Sequence, residues 1–64
     1  MTAKQYRATL ARLALTQREA GEMLGVSVRA SHGYANGLPI PAPVVKLLRL
    51  MTTFEMTPDD VRKA

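Results

Sequence analysis

Residues 16 to 27 read Thr-Gln-Arg-Glu-Ala-Gly-Glu-Met-Leu-Gly-Val-Ser: a helix start, a short apolar stripe, a helix stop and a second helix start within twelve positions. Thr16 and Glu19 have capping-box spacing, in which hydroxyl and carboxylate each satisfy a main-chain N–H that the first helical turn leaves without a partner. Ala20, Met23 and Leu24 supply the apolar stripe. Gly25 accepts the left-handed conformation of a helix end, and Ser27 is a strong N-cap. The rest of the chain is punctuated in the same way. Thr2 with Gln5 opens a first helix whose stripe is Tyr6, Leu10 and Leu13, and Ala14-Leu15 is a short connection to Thr16. Asn36-Gly37 ends the third helix. Leu38-Pro39-Ile40-Pro41 cannot be helical, because each proline pushes the residue before it toward extended conformations. Pro43 suits the first turn of a fourth helix, about residues 42–54, with Val44, Leu47, Leu48, Met51 and Phe54 on one stripe. Thr57-Pro58-Asp59-Asp60 caps a short last helix. No β-alternation of useful length competes with this pattern. The expected fold is all-α, five helices in one compact domain spanning residues 1–64.

Size decides which functions such a domain can serve. The 64 residues include 21 apolar side chains larger than Ala, enough for one small helical core and too few to wall a substrate pocket of several hundred Å³. There is no Cys and one His, which removes thiolate chemistry and disulfides and argues against a metal site. No Ser or Asp is placed by a recognisable motif to work with that His, so neither an enzyme nor a cofactor is expected. No apolar run approaches the roughly 20 residues that span a bilayer, and the N-terminus has no signal-peptide core, so the cytoplasm is the expected compartment.

Charge gives the first positive clue. The chain carries +4, and the excess sits at one end. Residues 1–18 hold Lys4, Arg7, Arg12 and Arg18 with no acid, for +4. Residues 19–54 contribute +1 and residues 55–64 contribute −1. A basic N-terminal half suits a polyanion such as nucleic acid, or is a solvated face that keeps a small protein soluble.

The third helix carries the chemistry. At about 100° per residue, Val28, Arg29, His32, Gly33 and Asn36 fall within one arc of roughly 140°, while Ala30, Ser31 and Tyr34 lie opposite and should face the core. The first arc holds a cation, an imidazole, an amide and no acid. The major groove of DNA admits a helix, and its base edges offer acceptors on guanine and a methyl on thymine. Arg29 could pair with guanine O6 and N7, or rest on a phosphate, and Val28 could touch a thymine methyl. Gly33 either allows close approach to a duplex or is a tolerated weak helix former.

Leu15 to Gly37, and above all Thr16-Gln17-x-Glu19, Leu24-Gly25-Val26-Ser27 and the aromatic and glycine at 34 and 37, resembles the helix-turn-helix of the lambda-repressor/Cro-like (xenobiotic-response-element) family. Leu38 to Met51 is similar to the segment C-terminal to the motif in short bacterial and phage members, and the resemblance covers about residues 5–54. It implies a sequence-specific DNA-binding transcriptional regulator, usually a repressor, that binds an inverted-repeat operator as a two-fold dimer. Carried over by position, Gln17 contacts phosphate or supports a base-reading side chain, and Ser27 touches phosphate. Val28, Arg29, His32 and Gly33 face base edges, and Asn36 is directed at phosphate. Ala20, Leu24, Val26 and Tyr34 match packed positions. The sequence departs from the family pattern at Ser31, where Val or Ile is preferred, at Gly33, and at Tyr34 and Ala35. The Ser31 hydroxyl is expected to bond the Ser27 carbonyl one turn back.

A second class of function stays open: an antitoxin or adaptor whose main partner is another protein, such as a toxin, with DNA secondary. The acid-free arc favours double-stranded DNA. For a homodimer, the C-terminal helices, residues 42–64, are the expected interface. Leu50 lies off the edge of the buried stripe and Val45 well outside it, with Met56 and Val61 extending that apolar surface.

Overall fold

The computed structural model describes residues 1–63; residue 64, included in the expected domain and interface, lies outside the described residues. Five α-helices follow in order: α1 Ala3–Arg12, α2 Gln17–Leu24, α3 Val28–Ala35, α4 Ala42–Thr53 and α5 Pro58–Arg62. The described residues contain no strand. The Cα trace fills a compact envelope of 27 × 20 × 20 Å.

Local signals set the starts of these helices. Thr2, Thr16 and Thr57 each accept the N–H of the residue three positions on, and Gln5, Glu19 and Asp60 return a bond to the cap N–H. Ser27 caps α3 by accepting from Ala30 N at 3.0 Å. The ends share one device. In α1 to α4, the residue two beyond the cap, or one beyond it in α2, returns its N–H to a carbonyl five residues back: Leu15 to Leu10, Val26 to Gly21, Leu38 to Gly33 and Met56 to Met51, at 2.8–2.9 Å. The residue just before each donor is left-handed. Gly25 (φ 74°) and Gly37 (φ 111°) take that place without steric cost, whereas Ala14 (φ 57°) and Glu55 (φ 53°) take it against the preference of an L side chain. What compensates is visible in the sequence of donors. All four are apolar, and Leu15, Val26 and Met56 pack against the core as the turn closes.

The core draws on four helices: Tyr6 and Leu10 from α1, Ala20 and Met23 from α2, Tyr34 and Ala35 from α3, and Val44, Leu48 and Met51 from α4. The rings of Tyr6 and Tyr34 meet edge to face at a centroid distance of 5.7 Å. Ser31 is fully buried, and its Oγ lies 2.7 Å from the Tyr6 hydroxyl, a polar pair inside the core. That corrects the expected bond to the Ser27 carbonyl, which instead takes the Ser31 main-chain N–H at 3.0 Å. Burial raises the Tyr6 phenol above its ordinary value, the Ser31 bond pulls it back, and Tyr34 raises it further. Each hydroxyl satisfies the other, so removing one leaves a buried polar group at a cost of about 1–3 kcal/mol.

Two expectations for the C-terminal part do not hold. Phe54, expected to finish the buried stripe of α4, caps that helix and is 69% exposed. Met56 and Val61, expected to extend an exposed patch, pack against the core instead, and Val45 is half-buried. The cause is the left-handed turn at Glu55, which folds the chain back over the end of α4 and turns Met56 inward.

Candidate nucleic-acid interface

Helix α3 is short, eight residues, and its stability comes from its neighbours rather than from helix propensity. It packs chiefly on α2 and then on α1. The turn between α2 and α3 is Gly25-Val26-Ser27, drawn tight against α2 where Val26 N donates to the Gly21 carbonyl at 2.9 Å. A Cβ at Gly21 would stand 3.1 Å from the Val26 carbonyl oxygen, a tight contact that the turn could take only by giving a few tenths of an ångström. At the other end, the Arg7 guanidinium Nη1 donates to the Ala35 carbonyl, tying the last turn of α3 to α1.

This anchoring turns one side of α3 outward. Val28 is 46% exposed, and Arg29, His32 and Asn36 are exposed as well. Ser27, at the head of the helix, is exposed, and Gln17, the first residue of α2, is half-buried. Ser31 and Tyr34 face inward and Ala30 is half-buried against the core, as the 100° spacing predicts; Ala35, at the edge of the outward arc by that spacing, is buried as well.

Gly33 departs from the expected arc. It is buried, and an added Cβ would lie 2.3 Å from Leu38 Cδ1. Its small size is explained by the residues just beyond the helix, where Leu38 folds back across it as part of the left-handed turn, and it offers no surface comparable to Arg29 or His32. Leu38 itself remains 59% exposed at the edge of this face.

The structure also joins three of the expected site residues through one hydrogen-bonded chain. His32 Nδ1 lies 2.8 Å from Gln17 Oε1, which ties the middle of α3 to the start of α2. Asn36 Nδ2 donates to the His32 carbonyl at 2.7 Å and lies 3.3 Å from His32 Nε2. Val28 and Arg29 stand outside this chain. Arg7 and Leu38, which hold the C-terminal half of α3 from outside it, have no local signal in the sequence: one acts across 28 residues, and the other comes after a stop that any helix might use.

Lys4, Arg12 and Arg18 are exposed, and α3 has no acid. Among the described residues no cluster of three His, Asp or Glu could hold a metal ion, and no helix is long and apolar enough to cross a membrane. No protein-family model, curated protein or solved structure matches the chain.

Proposed function

We propose that the protein is a sequence-specific DNA-binding regulator of the helix-turn-helix type, with α3 entering the major groove of an inverted-repeat operator and two copies acting together. The observation that carries this reading is the outward face of α3. Val28, Arg29, His32 and Asn36 form an acid-free surface on a helix pinned at both ends, by the Gly25–Ser27 turn and by Arg7. Arg29 is suited to guanine O6 and N7, and Val28 to a thymine methyl. Ser27 and Gln17, at the N-termini of α3 and α2, are suited to phosphate. The resemblance to small bacterial and phage repressors points the same way. Reaction chemistry has no part in this reading: the protein's work is to occupy DNA.

Pairing is required by the length of duplex one such helix can read, a few base pairs, which is too little for selection within a genome. Exposed apolar side chains on α4 provide the means. Pro43, Leu50 and Phe54 recur at spacings of seven and four residues, within roughly 40° of one another on the helix, with Leu47 half-buried at the edge of this strip and packed against the core. Leu50 is 51% and Phe54 69% exposed. That spacing is the seam of a helix pair, and a two-fold axis makes one such seam its own complement. The interface proposed is therefore α4 against α4, narrower than the whole C-terminal third.

The test is sedimentation of wild type and of Leu50→Glu/Phe54→Glu, free and with DNA selected from random duplexes. Both side chains are exposed, so the variant should keep its helical content. It is expected to sediment as a monomer and to bind about 10²-fold or more weakly, because the second half-site no longer benefits from the first. A wild type that binds a single half-site as a monomer would remove the dimer. A variant that pairs normally would move the interface elsewhere.

A further inference from the structure

The chain of bonds through His32 has a direction, and that direction bears on base choice, provided that α3 reads DNA as proposed. Asn36 fixes the sense. Its amide atom 2.7 Å from the His32 main-chain carbonyl oxygen faces a group that only accepts, so that atom is the nitrogen. The same nitrogen lies 3.3 Å from Nε2 of the ring. Facing a donor, Nε2 carries the lone pair. The single proton of the neutral imidazole then sits on Nδ1, and Gln17 Oε1, 2.8 Å away, accepts it. The opposite tautomer would set Nε2–H against an N–H of Asn36 and leave Nδ1 facing an oxygen lone pair.

We propose that Gln17 and Asn36 hold His32 as its Nδ1–H tautomer, so that α3 presents a hydrogen-bond acceptor, Nε2, to the major groove and selects a base whose edge there carries an amino group: adenine through N6 or cytosine through N4. Guanine offers N7 and O6 and thymine offers O4, all acceptors, and these meet the Nε2 lone pair with like polarity. The 3.3 Å contact from Asn36 is long for a hydrogen bond and is the one a base amino group replaces, while Asn36 keeps its bond to the His32 carbonyl. Gln17, with its oxygen committed to the ring, keeps its amide N–H groups for a phosphate oxygen. Gln17 is thus a positioning residue for His32 as well as a contact in its own right.

The chain has one His, which makes the test unambiguous. The ring nitrogens of ¹⁵N-labelled wild type and Gln17→Ala are observed in the free protein at about pH 8, above the ordinary titration range of imidazole. Wild type is expected to show a protonated Nδ1 and a lone-pair Nε2, and Gln17→Ala an average over both tautomers. A wild-type ring protonated at Nε2 would overturn the clamp. In parallel, wild type, Gln17→Ala and His32→Ala are each used to select from random duplexes. Wild type is expected to prefer adenine or cytosine at one position per half-site, and both variants to lose that preference by about tenfold while recovering the rest of the site. A wild-type preference for guanine or thymine at that position, or variants that keep the preference, would overturn the readout. A wild type that selects no duplex at all would overturn the DNA-binding reading and this base choice with it. The nitrogen spectra would then show, separately, whether the clamp exists as a structural contact.

Discussion

Leu48→Ala is expected to remove about 2–5 kcal/mol of stability, the range for truncating a buried leucine that leaves a cavity behind. Leu48 is fully buried, at the centre of α4's inner face, among side chains from three other helices. A chain of this length has roughly 3–10 kcal/mol of stability in all, so the loss is about a fifth of the total or more and lowers the melting temperature by roughly 8–40 °C. Little can offset it, because the fully packed core among the described residues is small and two of its members are alanines with no side chain long enough to fill the space. The matched control is Leu50→Ala on the same helix. Leu50 is half exposed, and its truncation should stay within about 0.5 kcal/mol, measured at concentrations low enough to keep the protein monomeric. Urea and thermal unfolding followed by helical circular dichroism give both values. Equal losses at 48 and 50 would contradict the assignment of α4's inner and outer faces.

The second large effect is of salt on DNA affinity. Neutralising phosphates releases condensed counterions, so binding should weaken linearly in log K against log salt concentration. Three to five phosphate contacts per copy, doubled in the dimer, correspond to a loss of about 10³–10⁵-fold between roughly 50 and 200 mM salt. The cations available for this are exposed: Lys4, Arg12 and Arg18 at the basic end of the chain, and Arg29 on α3. Fluorescence anisotropy of a labelled duplex across the salt range measures the slope. A flat dependence would contradict the DNA reading and favour a protein partner, for which the exposed Leu50 and Phe54 would then be the natural contact.

What the sequence makes legible here is whatever acts within about four residues. The four side-chain caps lie inside that distance: Thr2 and Thr16 open helices where their spacing to Gln5 and Glu19 predicts, Ser27 where its hydroxyl suits an N-cap, and Thr57 ahead of its proline and acids. The same holds for the glycine stops at 25 and 37. Ala14 and Glu55 serve the same left-handed role without a glycine, and so leave no signal. Missing the second of these misplaced Phe54 and Met56, since helical periodicity says nothing about where the chain goes after the helix ends. The candidate site divides along the same line. The outward arc of α3 follows from angle alone, and Val28, Arg29, His32 and Asn36 are where it puts them. Gly33 fails the rule because Leu38, five residues later, returns to cover it. Ser31 obeys the rule and is buried, but the partner of its hydroxyl is Tyr6, 25 residues earlier, where no local pattern shows it. The Gln17–His32 bond spans 15 residues and two helices, so neither residue reveals it alone.

The central claim is that α3 reads DNA sequence, and Arg29 is its most direct test. Wild type and Arg29→Ala are titrated against a duplex selected from random sequences and against its single-base-pair variants. Wild type should discriminate among these duplexes. Arg29→Ala should bind the selected duplex roughly 5- to 150-fold more weakly per half-site, a loss of about 1–3 kcal/mol, and should become indifferent to one base pair in each half-site. A wild type that binds all the duplexes alike, with Arg29→Ala indistinguishable from it, would contradict the claim.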